Sequence, residues 1–230
     1  MFSALIRLPI IATVLLCVAW LFSQGYPPYP VLKLLHVLAF ITLGSGLIGV
    51  VVSDLRARRS KSFELLVDSI DAMLLFYYRL VVPGSLLILL SGFSMVFGYY
   101  GLSVLQTPWL CGMMVLFVFE FFEGHLIMKA HYIKLRQAVD RARAAGNSVP
   151  ELEDELRARL TLATHFLDVP NFTLIVILGI LRPSDWTLFT VGVVVVAAIT
   201  AWLTIYVPRK NPWPGAVSAA NRSRAQLQPQ

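Results

Sequence analysis

Apolar residues run almost unbroken through six stretches of the chain, at about Leu5–Phe22, Val31–Val52, Met73–Phe97, Pro108–Met128, Leu162–Leu181 and Trp186–Val207. A helix of about 18 to 20 such residues crosses roughly 30 Å of hydrocarbon. The pattern therefore predicts an all-α fold, a polytopic transmembrane helical bundle of about six spans. Polar positions change character between the spans. Ser148-Val149-Pro150-Glu151 has the form of a helix start, with a Ser cap and a Glu three residues on. Leu152, Leu156 and Leu160 then recur every fourth residue, and Glu153–Arg157 and Glu155–Arg159 are spaced as i,i+4 pairs. These features predict an amphipathic helix that runs into the fifth span.

Charge adds an orientation. Arg7, Arg56–Lys61, the stretch Lys129–Arg159 and Arg209–Arg224 hold most of the basic residues, whereas only Lys33 and Arg182 flank the opposite side. The positive-inside bias then puts both termini in the cytoplasm. Residues 1–207 read as a single transmembrane domain containing the cytoplasmic loop 129–161, and 208–230 as a disordered polar, basic tail. Composition agrees: 57% of residues are hydrophobic and 14% charged, unlike a soluble domain. The net charge of +6 sits beside membrane spans, which explains it without nucleic acid. Cys17 and Cys111 both lie in apolar runs, so there is no disulfide framework and no cysteine metal motif.

An ionisable side chain within a span costs about 2.5–3.5 kcal/mol on insertion scales and needs a partner, a cavity or a task. Arg79, Glu120, Glu123, His165 and Asp168 all fall in the half of the membrane nearer the basic loops. Arg79 and Glu123 lie at similar depth, which predicts an Arg79–Glu123 or Arg79–Glu120 ion pair. Three-residue spacing puts Glu120 and Glu123 on one face and His165 and Asp168 on another, with Asp168 placed to orient His165. If the fourth and fifth spans are neighbours, these groups form one polar cluster, with Asn171 just above it. The Glu-x-x-His spacing of di-metal bundles is absent from span four, so no metal site is expected. Small residues at four-residue spacing, Ser45/Gly49, Ser94/Gly98 and Ala197/Ala201, point to close helix packing.

Haem is the candidate cofactor, because apolar helical cores with histidines hold it. His36 opens the second span on the side away from the basic loops. Its second ligand there would have to come from Met95, Met113 or Met114, whereas His125 and His165 would pair near the opposite side. No hydrolase, nucleotide-binding or zinc-protease motif occurs, and Gly44-Ser45-Gly46 follows no strand and sits in mid-span, which excludes a phosphate cradle. No catalytic residue is assigned.

Leu34-Leu35-His36-Val37-Leu38 with its following glycine cluster, then Arg79, Pro83-Gly84, Ser91-Gly92, Trp109 and Leu181-Arg182-Pro183, resembles a family of bacterial predicted integral-membrane proteins catalogued as a domain of unknown function (DUF2269). The resemblance runs from about Val31 to Asp185 and implies a multi-pass protein of the bacterial inner membrane. Members usually carry Lys-Pro where this chain has Arg182-Pro183. The opening His motif is also distantly similar to membrane families that handle haem or copper, and by that analogy only His36 carries over, as a haem ligand. Three functional readings follow. The first is a non-enzymatic membrane subunit or accessory protein, in contact with the lipid bilayer and with a membrane protein partner or a second copy. The second is a haem b-binding redox protein, and the third a small-solute or proton-coupled carrier with Glu120, Glu123 and Asp168 as its relay.

Overall fold

The computed structural model describes residue 20, residues 23–25 and residues 28–213. The first apolar stretch and the tail beyond residue 213 lie outside the described residues. Helix α1 spans Pro28–Arg58. Helix α2, Phe63–Phe76, passes through a π turn at Tyr77–Val81 into α3, Val82–Tyr99. A 3₁₀ segment at Gly101–Gln106 leads to α4, Pro108–Phe122, which continues through a second π turn, Glu123–Met128, into α5, Lys129–Ala145. Then come α6, Pro150–Arg157, α7, Arg159–Leu181, and α8, Thr187–Lys210. Among the described residues five continuous helical runs are long and apolar enough to cross a membrane, and they coincide with the second to sixth apolar stretches.

Two of these runs are much longer than the hydropathy pattern implies. Phe63–Tyr99 has 37 residues and Pro108–Ala145 has 38; at about 1.5 Å per residue each reaches roughly 55 Å. Both project beyond the hydrocarbon at the end of the bundle that carries the basic segments, so most of the expected loop 129–161 is helix. Hydropathy ends with the lysines and arginines after Met128, but helical periodicity does not. Tyr132, Leu135, Val139 and Ala142 recur at three and four residues and are almost fully buried against Leu66, Val67, Ile70 and Leu74 of α2 and Leu152 of α6. Each large apolar side chain buried this way contributes about 1.5–3 kcal/mol, so this end of the protein is held as a soluble domain is held. Arg136 and Arg143 both reach Asp71 across its rim.

The helix ends follow local chemistry. Ser62 caps α2 by accepting from the Leu65 amide at 3.2 Å. Gly146, at φ 69°, stops α5 in the left-handed conformation that glycine takes without strain. Helix α6 is capped at Val149 rather than Ser148, and Ala158, with ψ 110°, separates it from α7. The expected run of the amphipathic helix into span five is therefore broken. Glu153–Arg157 forms at 3.1 Å, whereas Glu155 turns to His131 on α5 at 3.0 Å. Pro83 lacks the amide that would close the turn on the Arg79 carbonyl, and the preceding ladder widens so that the Val82 amide donates to the Tyr77 carbonyl.

Helix α1 packs along α2 and α3, α4 packs on α7, and α7 on α8. The glycines of α1 make the first contact close. A β-carbon at Gly46 would stand 2.9 Å from the Val81 backbone nitrogen, and one at Gly84 of α3 would stand 2.8 Å from that of Leu43. The Gly44-Ser45-Gly46 run is thus a seat for a neighbouring helix. Exposed apolar side chains form belts around the spans, including Leu38, Ile41 and Ile48 on α1 and Val191, Val194 and Trp202 on α8, the reverse of a soluble surface. Helices α3 and α4 hardly touch along their length, and an internal space opens between them.

Candidate functional site

The space between α1, α3, α4 and α7 is a cavity of about 370 Å³, placed at the end of the bundle away from the basic loops. That volume lies within the roughly 300–1,000 Å³ of small-molecule sites. Its walls are apolar. Phe40 and Phe172 stack at 4.3 Å along one side, and Met95, Met113 and Met114 come from α3 and α4. Lys33 and Arg182, both exposed, stand at its outer rim, and Arg182 lies 5.2 Å over the Trp109 ring. Arg182 is the one non-glycine with positive φ among the described residues, at 47°. Such strain persists only where the surroundings enforce it.

His36 is the imidazole on this cavity. Its Nδ1 lies 3.0 Å from the Ser91 hydroxyl, and that hydroxyl gives its own hydrogen to the Leu87 carbonyl at 2.6 Å. Ser91 therefore accepts from Nδ1–H, which fixes the tautomer and leaves the Nε2 lone pair free. The absence of a side chain at Gly92 gives the ring its place, since a β-carbon there would lie 3.2 Å from His36 Cε1. An imidazole fixed through one nitrogen, with the lone pair of the other left free, is the form in which a histidine ligates a metal. The donor set, His36 with three thioethers, and a cationic rim above an aromatic wall fit a haem.

Glu120 lines the floor of this cavity and also a second chamber of about 30 Å³ beneath it. Asn171 donates to Glu120 Oε2 at 2.6 Å, tying α7 to α4. One turn on, Glu123 is only 6% exposed and lines the same small chamber as Asp168. The neighbouring placement of spans four and five thus brings Glu120, Glu123, Asp168 and Asn171 together. Tyr77 closes the chamber from the first π turn, its hydroxyl donating at 2.7 Å to the Gly124 carbonyl in the second π turn.

Three expected contacts do not form. Arg79 is exposed and makes no ion pair among the described residues, because the π turn and Pro83 rotate that stretch so that Tyr77, not Arg79, faces the carboxyls. His125 and His165 do not meet. The former stacks on Phe121 at 4.1 Å and donates from Nδ1 to the Phe121 carbonyl at 2.9 Å, while the latter lines a different pocket nearer the basic end. Nor does Asp168 orient His165, whose Nε2 lies 3.9 Å from Asp54.

Asp54 belongs to a group that sequence reasoning passed over. Its carboxylate accepts from Arg58 Nε at 2.8 Å, with both side chains buried, and Trp213 covers the guanidinium at 4.3 Å. The i,i+4 spacing of Asp54 and Arg58 was the available signal, hidden by ending the second span at Val52. Trp213, 8% exposed, packs into the core, so the chain just after α8 is seated rather than loose.

No curated protein matches the chain, and no solved structure matches it. A family described as predicted integral membrane protein (DUF2269) matches residues 30–183, which include α1 to α7 almost whole and every residue of both the cavity and the chamber except Tyr29. The chain belongs to this DUF2269 family of integral membrane proteins.

Proposed function

We propose that this protein is a non-enzymatic haem b-binding subunit of a bacterial inner membrane, with the cavity between α1, α3, α4 and α7 as its haem site. The carrying observation is His36 on the cavity wall, with its Nδ1 engaged by the Ser91 hydroxyl and its Nε2 lone pair left without a partner among the described residues. His36, with one of Met95, Met113 and Met114, would hold the iron, and Lys33 and Arg182 would receive the acidic propionates. Bound there, haem supplies one-electron transfer. The protein's own contribution is to orient the imidazole, to pack Phe40, Phe117 and Phe172 along the cavity, and to neutralise the propionates at the rim. The basic end, with α5 and α6, faces the cytoplasm, and the cavity lies in the opposite half of the membrane.

Titration of ferric haem into the detergent-purified chain tests this reading. A saturable Soret shift with one haem per chain is the expected result, abolished in His36→Ala and weakened in a Lys33→Ala/Arg182→Ala variant. Equal binding by wild type and His36→Ala would move the site elsewhere.

A further inference from the structure

The haem reading leaves the chamber beneath the cavity unused. Among the described residues no Lys or Arg lines it. The titratable groups that do are Glu120, Glu123 and His125 on the α4 run, Tyr77 from the first π turn, Tyr132 from α5 and Asp168 from α7. Glu120 Oε1 and Glu123 Oε1 are both buried and have no hydrogen-bond partner. A carboxyl oxygen left bare in a dry site is costly unless a proton or a donor reaches it. The chamber volume, about 30 Å³, admits a water or two. Among the described residues no group of His, Cys, Asp or Glu side chains is arranged to hold a metal ion, so the ligand suited to these oxygens is the proton.

Connectivity gives the route. Glu120 lines both the cavity and the chamber. Asn171 occupies its Oε2, so the unpartnered Oε1 is the atom left to take up a proton. Glu123 lies one turn below on the same run and shares the chamber with Asp168 of α7. Two carboxyls enclosed in one chamber of this size hold one proton between them, because two like charges so confined repel strongly.

We infer that Glu120, Glu123 and Asp168 form a proton relay that loads from the cavity through Glu120 and stores its proton on the Glu123–Asp168 pair. Each step breaks one O–H bond and makes another. Glu120 passes its proton to a chamber water or directly to Glu123, Glu123 shares it with Asp168, and Glu120 is reloaded from water in the cavity. Nothing is oxidised or reduced. The inference stands without haem and is tested in its absence.

The measurement is infrared detection of the carboxyl C=O stretch in the full-length chain, reconstituted in lipid without haem and transferred to deuterium oxide. Wild type should show a protonated-carboxyl band that is diminished in Glu123→Gln and in Asp168→Asn and that takes up deuterium in a fast phase. Glu120→Gln, which keeps the shape and the Asn171 contact, should retain the band and lose the fast phase, and Glu120→Asp should regain it. Val176→Trp, which narrows the cavity and changes none of the carboxyls, should slow it as well and decides the matter if Glu120→Gln does not fold. Fast deuteration that survives both substitutions, or a wild type with no protonated-carboxyl band, overturns the relay.

Discussion

Replacing Arg58 with Met asks how much of the fold hangs on one buried charge pair. Arg58 and Asp54 are 1% and 6% exposed at the side chain, joined at 2.8 Å, and the indole of Trp213 covers the guanidinium at 4.3 Å. Without Arg58 the Asp54 carboxylate keeps, among the described residues, only His165, 3.9 Å away. Leaving one member of a buried pair uncompensated costs about 3–5 kcal/mol, and loss of the cation–π contact adds about 1 kcal/mol. With about 2–4 °C of Tm per kcal/mol for a chain of this size, the loss is on the order of 10 °C. The assay is thermal unfolding of the detergent-solubilised protein at a fixed scan rate, followed by tryptophan fluorescence. Asp54→Leu in the Arg58→Met background removes the stranded charge and should restore more than half of the loss, since a buried pair contributes little net stability over an apolar replacement. Additive losses in the two single variants and the double would refute the reasoning, because they would mean that each group is independently solvated.

Two further substitutions probe the packing. Gly84→Val forces a side chain onto the Leu43 backbone, where no flexible atom can give way. It should cost at least about 1–3 kcal/mol and separate α1 from α3, read as a lowered Tm together with increased cysteine labelling of a reporter placed at Ser85; an unchanged Tm would show that the helices are not in backbone contact. Arg79→Leu should leave thermal stability within about 0.5 kcal/mol of wild type, since Arg79 is exposed and forms no ion pair among the described residues. A large loss that Glu123→Gln rescues would reinstate the pair expected from depth alone.

Depth was the wrong guide at Arg79 because it assumes an unbroken 100° per residue, and the π turn at Tyr77–Val81 changes the phase. Pro83 was visible, but its effect on the face presented by the preceding turn depends on how α1 packs there. The same limit hid Asp54–Arg58, whose i,i+4 pairing is legible while its burial depends on Trp213 and α7 arriving from far along the chain. Residues whose environment is local read well. The five described spans follow from hydropathy, and Asn171 sits above the carboxyls as its register implies. Helix α5 did not read as a continuation of the fourth span because its charges mask an apolar stripe that makes sense only against α2. The cavity could not be read from the sequence at all, since it is the gap left where α3 and α4 diverge.

The absorption spectrum of the full-length protein, purified from cells supplied with ample haem precursor, tests the central claim most directly. The account predicts a Soret band that travels with the protein, sharpens in the α and β region on reduction by dithionite, and is missing from His36→Ala purified in parallel. A folded, monodisperse and colourless wild type would contradict it.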